Sequence, residues 1–461
     1  MSAVVAERTR SSVIVQYGLL AGPLLSMLDS SIVNVAIVPI TRGLHTSLGT
    51  AQWTVSGYLL ALGTGLAGTA YLARRSGTLP VYRFSLIAFT LASAACALAP
   101  DAGTLVAARI VQGLVAAPLV PLAMSIMLGR GGSAGSMSPV AGILLFAGPA
   151  LGPAVGGALI GAAGWRLIFL INVPLGALAA AAAWKLPGKN GHGRSVKFDL
   201  SGLVVLAGGL GVLLYGTTDG ASHGWSRAWP LVACGAVLLA GYGWHAARRE
   251  SPALDVTLAR APVPALSMGL CAMASVVAWA AIFLLPVFVQ GVQGRSALAA
   301  GIAMAPQGIV TGISTALGGK VLVRFTVRTT VITGFVVLAV ASLGILAIGA
   351  RTPLWVVAAI LAVRSVSIGL VITPLLTALT APLPPELMAD ASTLFNVAQR
   401  IAGSFGIGLI AALYGDLARS SGAVTALHTT GLVIASIAAA GATLAVALPA
   451  VRNVARSAPA R

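Results

Sequence analysis

The fourth apolar run of the chain reads Arg109-Ile-Val-Gln112-Gly113-Leu-Val-Ala-Ala-Pro118-Leu119, and the twelfth reads Arg364-Ser-Val-Ser-Ile-Gly369-Leu-Val-Ile-Thr-Pro374-Leu375. Glycine, leucine, valine, proline and leucine share one offset, and the arginine is displaced by a single position. If run 4 is equivalent to run 12, runs 1 to 6 answer to runs 9 to 14, and runs 7 and 8 are an insertion between two halves. Two six-helix halves around a central site is a plan used by secondary transporters. The division predicted is an N-terminal six-helix half over 1–190, two inserted transmembrane helices over 191–260, and a C-terminal six-helix half over 261–461.

By hydropathy the fourteen runs lie at roughly 13–38, 50–72, 81–100, 103–127, 136–161, 165–186, 200–218, 228–246, 264–290, 297–318, 329–349, 353–377, 388–414 and 427–450. About 20 apolar residues cross a hydrocarbon core of ~30 Å as a helix. Of 461 residues, 58% are hydrophobic, only 8% are charged, and the 55 glycines are spread along the whole length. A soluble domain cannot hide that much apolar surface, so the fold class expected is an all-α integral membrane protein of fourteen helices. Arg8 and Arg10 precede the first run as in a signal peptide. That run continues to about Ile40 with no small-residue cleavage site, which predicts a retained first helix.

The formal charge is +18. In a soluble protein this would suggest nucleic acid; here the basic residues sit in short gaps between apolar runs. With the N-terminus inside, nineteen fall on the cytoplasmic side: Arg8, Arg10, Arg74, Arg75, Arg83, Arg130, Lys185, Lys189, Arg194, Lys197, Arg248, Arg249, Arg260, Lys320, Arg324, Arg328, Arg452, Arg456 and Arg461. Six fall outside: Arg42, Arg166, Arg227, Arg295, Arg351 and Arg419. The bias orients the chain with both termini cytoplasmic, a multi-pass protein of the cytoplasmic membrane that does not bind nucleic acid. Arg109, Arg364 and Arg400 remain within spans.

Cys96, Cys234 and Cys271 lie in apolar runs without paired spacing, and the five histidines never fall at i, i+4, so neither a disulfide framework nor a metal site is expected. Gly318-Gly319-Lys320 is followed by Val321 and lacks the earlier glycine of a phosphate loop. With no triad in prospect either, the chain is read as a transporter rather than an enzyme.

Among ten acidic residues, only Asp29 sits well inside an apolar run. A buried carboxylate costs several kcal/mol unless it is paired, solvated or protonated. It is either a proton or cation site coupled to transport, or a structural hydrogen bonder at a helix contact. Arg109 is the natural partner: Asp29 lies ~14 Å from the outer end of its helix and Arg109 ~9 Å from the outer start of its own. An adjacent cation favours the ionised form of a carboxylate and burial favours the neutral form, so proton affinity can change as such a site alternates between sides. The fifth run carries Gly148-Pro149-Ala-Leu-Gly152-Pro153-Ala-Val-Gly156-Gly157. Glycines at i, i+4 and i+8 make a groove for a neighbouring helix, and prolines bend the rod.

Over almost the whole chain these residues resemble the fourteen-span drug:proton antiporters of the major facilitator superfamily. The resemblance is carried by Leu28-Asp29-Ser-Ser-Ile-Val-Asn34 in helix 1, Gln52-Trp53 with Tyr58 in helix 2, and Arg109-Ile-Val-Gln112-Gly113 in helix 4. It is carried further by the glycine–proline run of helix 5 and by Trp165-Arg166-Leu-Ile-Phe169-Leu-Ile-Asn172-Val-Pro174-Leu-Gly176. The helix 5 run is similar to the antiporter motif, which in that family favours export over uptake. One motif departs: where the family carries an aspartate after helix 2, this chain reads Leu72-Ala73-Arg74-Arg75-Ser76-Gly77-Thr78.

The resemblance implies proton-driven efflux of a hydrophobic drug, antibiotic or metabolite through a central cavity, with Asp29 carrying the proton and Arg109 tuning it. Asn34, Gln52, Trp53, Tyr58, Gln112, Asn172, Asn396 and Gln399 are the candidate cavity groups. No cofactor is expected besides the proton gradient, and no obligatory protein partner besides substrate, protons and the lipid bilayer. Uptake of another solute by the same fold, or a non-transporting membrane protein, are the competing classes.

Overall fold

The computed structural model describes residues 2–129, 139–184, 199–223, 225–249, 252–381, 383 and 387–450. They form α1 (Ser2–Gly43), α2 (Leu48–Ala51), α3 (Trp53–Ser76), α4 (Thr78–Leu98), α5 (Ala102–Ala116), α6 (Leu119–Gly129), α7 (Pro139–Ala163), α8 (Leu167–Leu170) and α9 (Asn172–Trp184). Then follow α10 (Leu200–His223), α11 (Trp225–Ala246), α12 (Pro262–Gly291), α13 (Ala297–Arg324), α14 (Val327–Leu343), α15 (Leu354–Thr380), α16 (Met388–Ser421) and α17 (Ala423–Leu444). No strand occurs among the described residues. Eleven helical stretches there are long and apolar enough to cross a membrane.

Turn chemistry sets several helix ends. The Asp101 carboxylate accepts from the Thr104 N–H at 2.9 Å and caps α5, and Thr326 caps α14 through the Thr329 N–H at 3.2 Å. Gly77 (φ 87°) and Gly422 (φ 84°) adopt the left-handed conformation that lets α3 turn into α4, and α16 into α17, through one residue. Run 4 is broken into α5 and α6 at Ala117–Pro118 because proline has no N–H to give its predecessors. Run 6 likewise divides into α8 and α9 just ahead of Pro174.

In the N-terminal group α1 packs on α7 and α9, α3 on α5, and α4 on α5 and α9; in the C-terminal group α12 packs on α16, α13 on α15, and α14 on α15 and α17. The groups meet along α7·α13, α3·α16 and α1·α12, and the α10–α11 hairpin leans on α16 and α3. Large side chains such as Phe84 (67% exposed) and Trp355 (72%) point away from the bundle, as a lipid-facing wall requires. The two quoted stretches sit on α5 and α15. A Cβ on Gly113 would overlap the Tyr58 carbonyl of α3, and one on Gly369 the Ser314 carbonyl of α13, so each glycine lets an arginine-bearing helix lie directly on its neighbour.

The helices alternate in direction between two faces. Arg74, Arg75, Arg83, Arg248, Arg249, Arg260, Arg324 and Arg328 lie at one set of ends, the arginine-rich face; Arg42, Arg166, Arg295, Arg351 and Arg419 lie at the other, arginine-poor set. Arg130, Lys185, Lys189, Arg194, Lys197, Arg452, Arg456 and Arg461 are outside the described residues.

Candidate functional site

Asp29 on α1 and Arg109 on α5 are 1% and 0% exposed, and the arginine Nη1 stands 2.5 Å from Asp29 Oδ2. Arg109 and Gln112 are three residues apart on one helix and so share a face. Arg109 Nη1 also donates to Gln112 Oε1 at 2.6 Å, and its Nε donates to the Thr54 carbonyl of α3 at 2.9 Å. The other carboxylate oxygen accepts from Asn172 Nδ2 of α9 at 2.8 Å and from Gln112 Nε2 at 3.3 Å. Gln112 Nε2 donates in turn to Ser93 Oγ of α4 at 2.6 Å. The guanidinium lies 4.0 Å from the Tyr58 ring centre and 5.5 Å from that of Phe169.

With α3 and α4 holding the arginine and the glutamine in place, Arg109 and Gln112 of α5 and Asn172 of α9 therefore converge on one buried carboxylate of α1. Its attraction to Arg109 offsets the burial of both charges only while the pair is intact; deleting one partner of such a pair costs about 3–5 kcal/mol. Chemically, the arrangement can hold or release one proton at Asp29, with Arg109 as the counter-charge and the two amides as donors to the ionised form.

A separate cavity of about 240 Å³ opens where the two helix groups meet. Ser30, on its α1 wall, is thirteen residues from the end of α1 at Gly43, or ~20 Å; Gln307, on its α13 wall, is ten residues from Ala297, or ~15 Å. This is mid-depth for a core of ~30 Å. Met27, Ala274, Ile282, Met304, Val371 and Ile372 make the wall largely apolar, and Ser30, Asn34, Gln307, Thr311, Gln399 and Arg400 set polar groups into it, the composition of a ligand site. Asp29, Arg109 and Gln112 do not line it.

Asn34 and Gln399 line the cavity. Asn34 Nδ2 donates to the Ser30 and Ser31 carbonyls at 3.1 and 3.3 Å, leaving its Oδ1 without a partner. Gln112, Asn172 and Tyr58 are gathered around the Asp29–Arg109 pair. Gln52, Trp53 and Asn396 reach neither place. Gln52 Oε1 accepts from Ser56 Oγ at 2.7 Å, the Trp53 ring lies 6.3 Å from that of Tyr215 on α10, and exposed Asn396 donates back to the Ser392 carbonyl at 2.9 Å.

In α7, a Cβ on Gly152 would overlap Ser31 and one on Gly156 would lie 2.9 Å from Ile32, both on α1. A Cβ on Gly157 would lie 2.5 Å from the Ala297 carbonyl oxygen of α13. In return, a Cβ on Gly301 of α13 would overlap the Pro153 carbonyl. Gly157 and Gly301 thus let α7 and α13 meet backbone to backbone toward the arginine-poor face, while Gly152 and Gly156 seat α7 on α1. Gly148 and Pro149 belong to α7, but their surroundings are outside the described residues. Sequence reading did not nominate Ser93, Gln307, Trp279 or Arg400 for the site; only Arg400, an arginine inside a span, carried a usable signal.

A family profile described as Major Facilitator Superfamily matches residues 19–407. The chain belongs to the Major Facilitator Superfamily. Within that superfamily it is 31% identical over 398 residues to the "Multidrug resistance protein B homolog" of Mycobacterium tuberculosis (strain ATCC 25618 / H37Rv), covering 84% of this chain and 74% of the relative. It is 30% identical over 396 residues to the "Methylenomycin A resistance protein" of Streptomyces coelicolor, covering 84% and 83%. The crystal structure of a mutant of the nucleoside transporter NupG shares the fold at a TM-score of 0.65 and 13% identity, over 94% of this chain and 98% of that one. Membership of this superfamily makes the chain a multi-pass membrane transporter rather than an enzyme.

Proposed function

We propose that this facilitator is a proton-coupled exporter of hydrophobic drugs, antibiotics or related metabolites across the cytoplasmic membrane, with both termini cytoplasmic. The observation that carries the reading is the dehydrated Asp29–Arg109 pair, set beside the central cavity but not in its wall. A proton on Asp29 removes the charge that balances Arg109. The guanidinium must then find another acceptor, and α1, which carries both Asp29 and the cavity residues Ser30 and Asn34, is the element that moves. Proton binding in one compartment is thereby linked to rearrangement of the cavity wall.

The glycine run of α7 supports export, since Gly157 brings α7 directly onto α13 toward the arginine-poor face; on this reading the cavity loads from the arginine-rich, cytoplasmic side. Relatives named for multidrug and methylenomycin A resistance point to the same cargo class. Fourteen crossings follow if α3, α7 and α11 are added to the eleven apolar stretches. That gives six-helix halves over 1–190 and 261–461 and an inserted pair over 191–260. No cofactor beyond the proton gradient and no protein partner enters the scheme. Replacing Asp29 by Asn should abolish pH-gradient-driven export from membrane vesicles while the protein still reaches the membrane; undiminished export would sink the reading.

A further inference from the structure

Arg400 enters the cavity from α16. Among the described residues it makes no ion pair, its buried Nε has no hydrogen-bond partner, and the Trp279 ring centre lies 5.8 Å from its guanidinium. Arg364 on α15 lines a recess that shares Ala278, Ile282 and Gln307 with the cavity wall. Its Nη2 donates to the Val277 carbonyl at 2.8 Å and its Nε to Ser342 Oγ at 3.3 Å, but no carboxylate faces it among the described residues. Among the described residues no Asp or Glu lines either space. The one buried carboxylate nearby, Asp29, is already matched to Arg109.

The cavity is thus a low-dielectric space under two positive charges with no counter-charge. Water can satisfy hydrogen bonds there but does not neutralise the charge, and ionisable groups inside a membrane call for a partner. Nothing in the described protein supplies one, so we propose that the cargo does: the cavity takes an anionic aromatic compound whose acid group, a carboxylate, sulfonate or phenolate, sits on Arg400. Guanidinium is suited to that group because its planar fork can donate two bonds at once. The Trp279 face and the thioethers of Met27 and Met304 accept the ring system. Gly63 of α3 makes room for the arginine stem, since a Cβ there would lie 3.2 Å from Arg400 Cβ.

This inference rests on the exporter reading for its biological sense, but it is tested by binding. Three probes share one ring: naphthalene-2-sulfonate, a permanent anion; naphthalene-2-sulfonamide, neutral; and 2-naphthyltrimethylammonium, a permanent cation. Equilibrium dialysis against the full chain in lipid nanodiscs should show the sulfonate binding about tenfold or more tighter than the other two, the scale of one charge-assisted hydrogen bond. Arg400→Gln should erase that preference, and Arg400→Lys should keep part of it. Gln399→Glu, which sets a carboxylate beside an intact arginine, should weaken the sulfonate about tenfold more than the sulfonamide, and it decides the matter if Arg400→Gln does not fold. Equal binding of the three probes, preference for the cation, or a sulfonate preference that Gln399→Glu leaves untouched overturns the proposal. Flux in proteoliposomes under a pH gradient separates the two readings. Gradient-driven movement of the cation or the neutral probe without sulfonate preference removes the anion site alone. Sulfonate binding without gradient-driven flux of any probe upholds the anion site and removes the exporter.

Discussion

Arg109 and Arg364 occupy matching places in the repeated sequence, yet they live under different electrostatic conditions. Around them the scaffold repeats closely. Arg83, near the start of α4, donates to the Ala183 and Trp184 carbonyls at the end of α9 at 3.0 and 3.1 Å; Arg328, near the start of α14, donates to the Leu448 carbonyl beyond α17 at 2.6 Å. At the opposite face Arg166 donates to the Ala99 carbonyl after α4 at 3.1 Å, and the His428 ring lies 2.9 Å from the Ile348 carbonyl after α14. The latches are alike, and only the charge inventory inside them differs. Arg109 has Asp29; Arg364 has carbonyl and hydroxyl oxygens. One scaffold can therefore hold a neutralised pair on one side and leave bare positive charge on the other. On the readings proposed above, the first serves the proton and the second the cargo.

The largest effect should come from breaking the neutralised side. Asp29→Asn and Arg109→Gln each strand a buried charge or donor and should each destabilise the protein by about 3–5 kcal/mol. The double variant leaves no net charge behind and should recover most of that loss in thermal unfolding, while pH-driven export stays absent in all three. A double variant no more stable than either single would mean that the pair is not the unit that matters. Next comes giving the C-terminal side what it lacks. Ala278 borders both the cavity and the Arg364 recess, so Ala278→Asp supplies a carboxylate there, imitating Asp29. Sulfonate affinity should fall about tenfold, the worth of one lost charge-assisted contact. An unchanged affinity would show that the charge on this side does not reach the cargo.

How much of this contrast the sequence discloses depends on the kind of information involved. Hydropathy locates helices because a membrane fixes their length and forbids unpaired backbone, so most run positions reappear within a few residues, and the break at Pro118 follows from one missing N–H. The nearness of Asp29 to Arg109 is also accessible, since charges within spans are few and helix rise gives their depth. The bare state of Arg400 is not accessible: having no partner is a property of the whole surroundings. Trp53 shows a second limit. Its helix face is readable, but that the inserted hairpin would place Tyr215 against it is not. Ser93 shows a third, because one serine in a helix looks like any other until Gln112 is seen to donate to it.

A third test moves one half against the other without touching charge. Gly157→Ala puts a methyl 2.5 Å from the Ala297 carbonyl oxygen and 2.6 Å from Leu298 Cα, both backbone atoms that cannot rotate away. Overpacking of this kind costs about 1–3 kcal/mol and is relieved here by parting α7 from α13. In a Cys234→Ser background, a cysteine placed at cavity residue Ser30 should then react faster with a membrane-impermeant thiol reagent added from the arginine-poor side. No change in rate would show that the glycine seam does not gate that face.

The smallest effect lies in the hairpin that belongs to neither group. Asp199 precedes α10, and its carboxylate accepts from His245 Nε2 of α11 at 2.8 Å and from the Gly202 and Ala253 N–H groups at 2.9 and 3.2 Å. Burial works against its ionisation, but the donors, led by His245, prevail and hold the carboxyl below its usual range. A carboxyl lowered in the folded state adds stability that is fully present above its unfolded value, near pH 4, and is lost as pH falls through the lower folded value. The wild type should therefore carry an acid limb in its melting profile below about pH 4 that Asp199→Asn makes shallower, with the variant's Tm only roughly 1–2 °C lower at neutral pH. Because the hairpin touches α3 and α16 rather than Asp29 or Arg364, the preference among the three naphthalene probes should not move with it. A shift in that preference would mean that α10 and α11 set the charge of the cavity, and the contrast between the two arginines would then no longer account for the cargo.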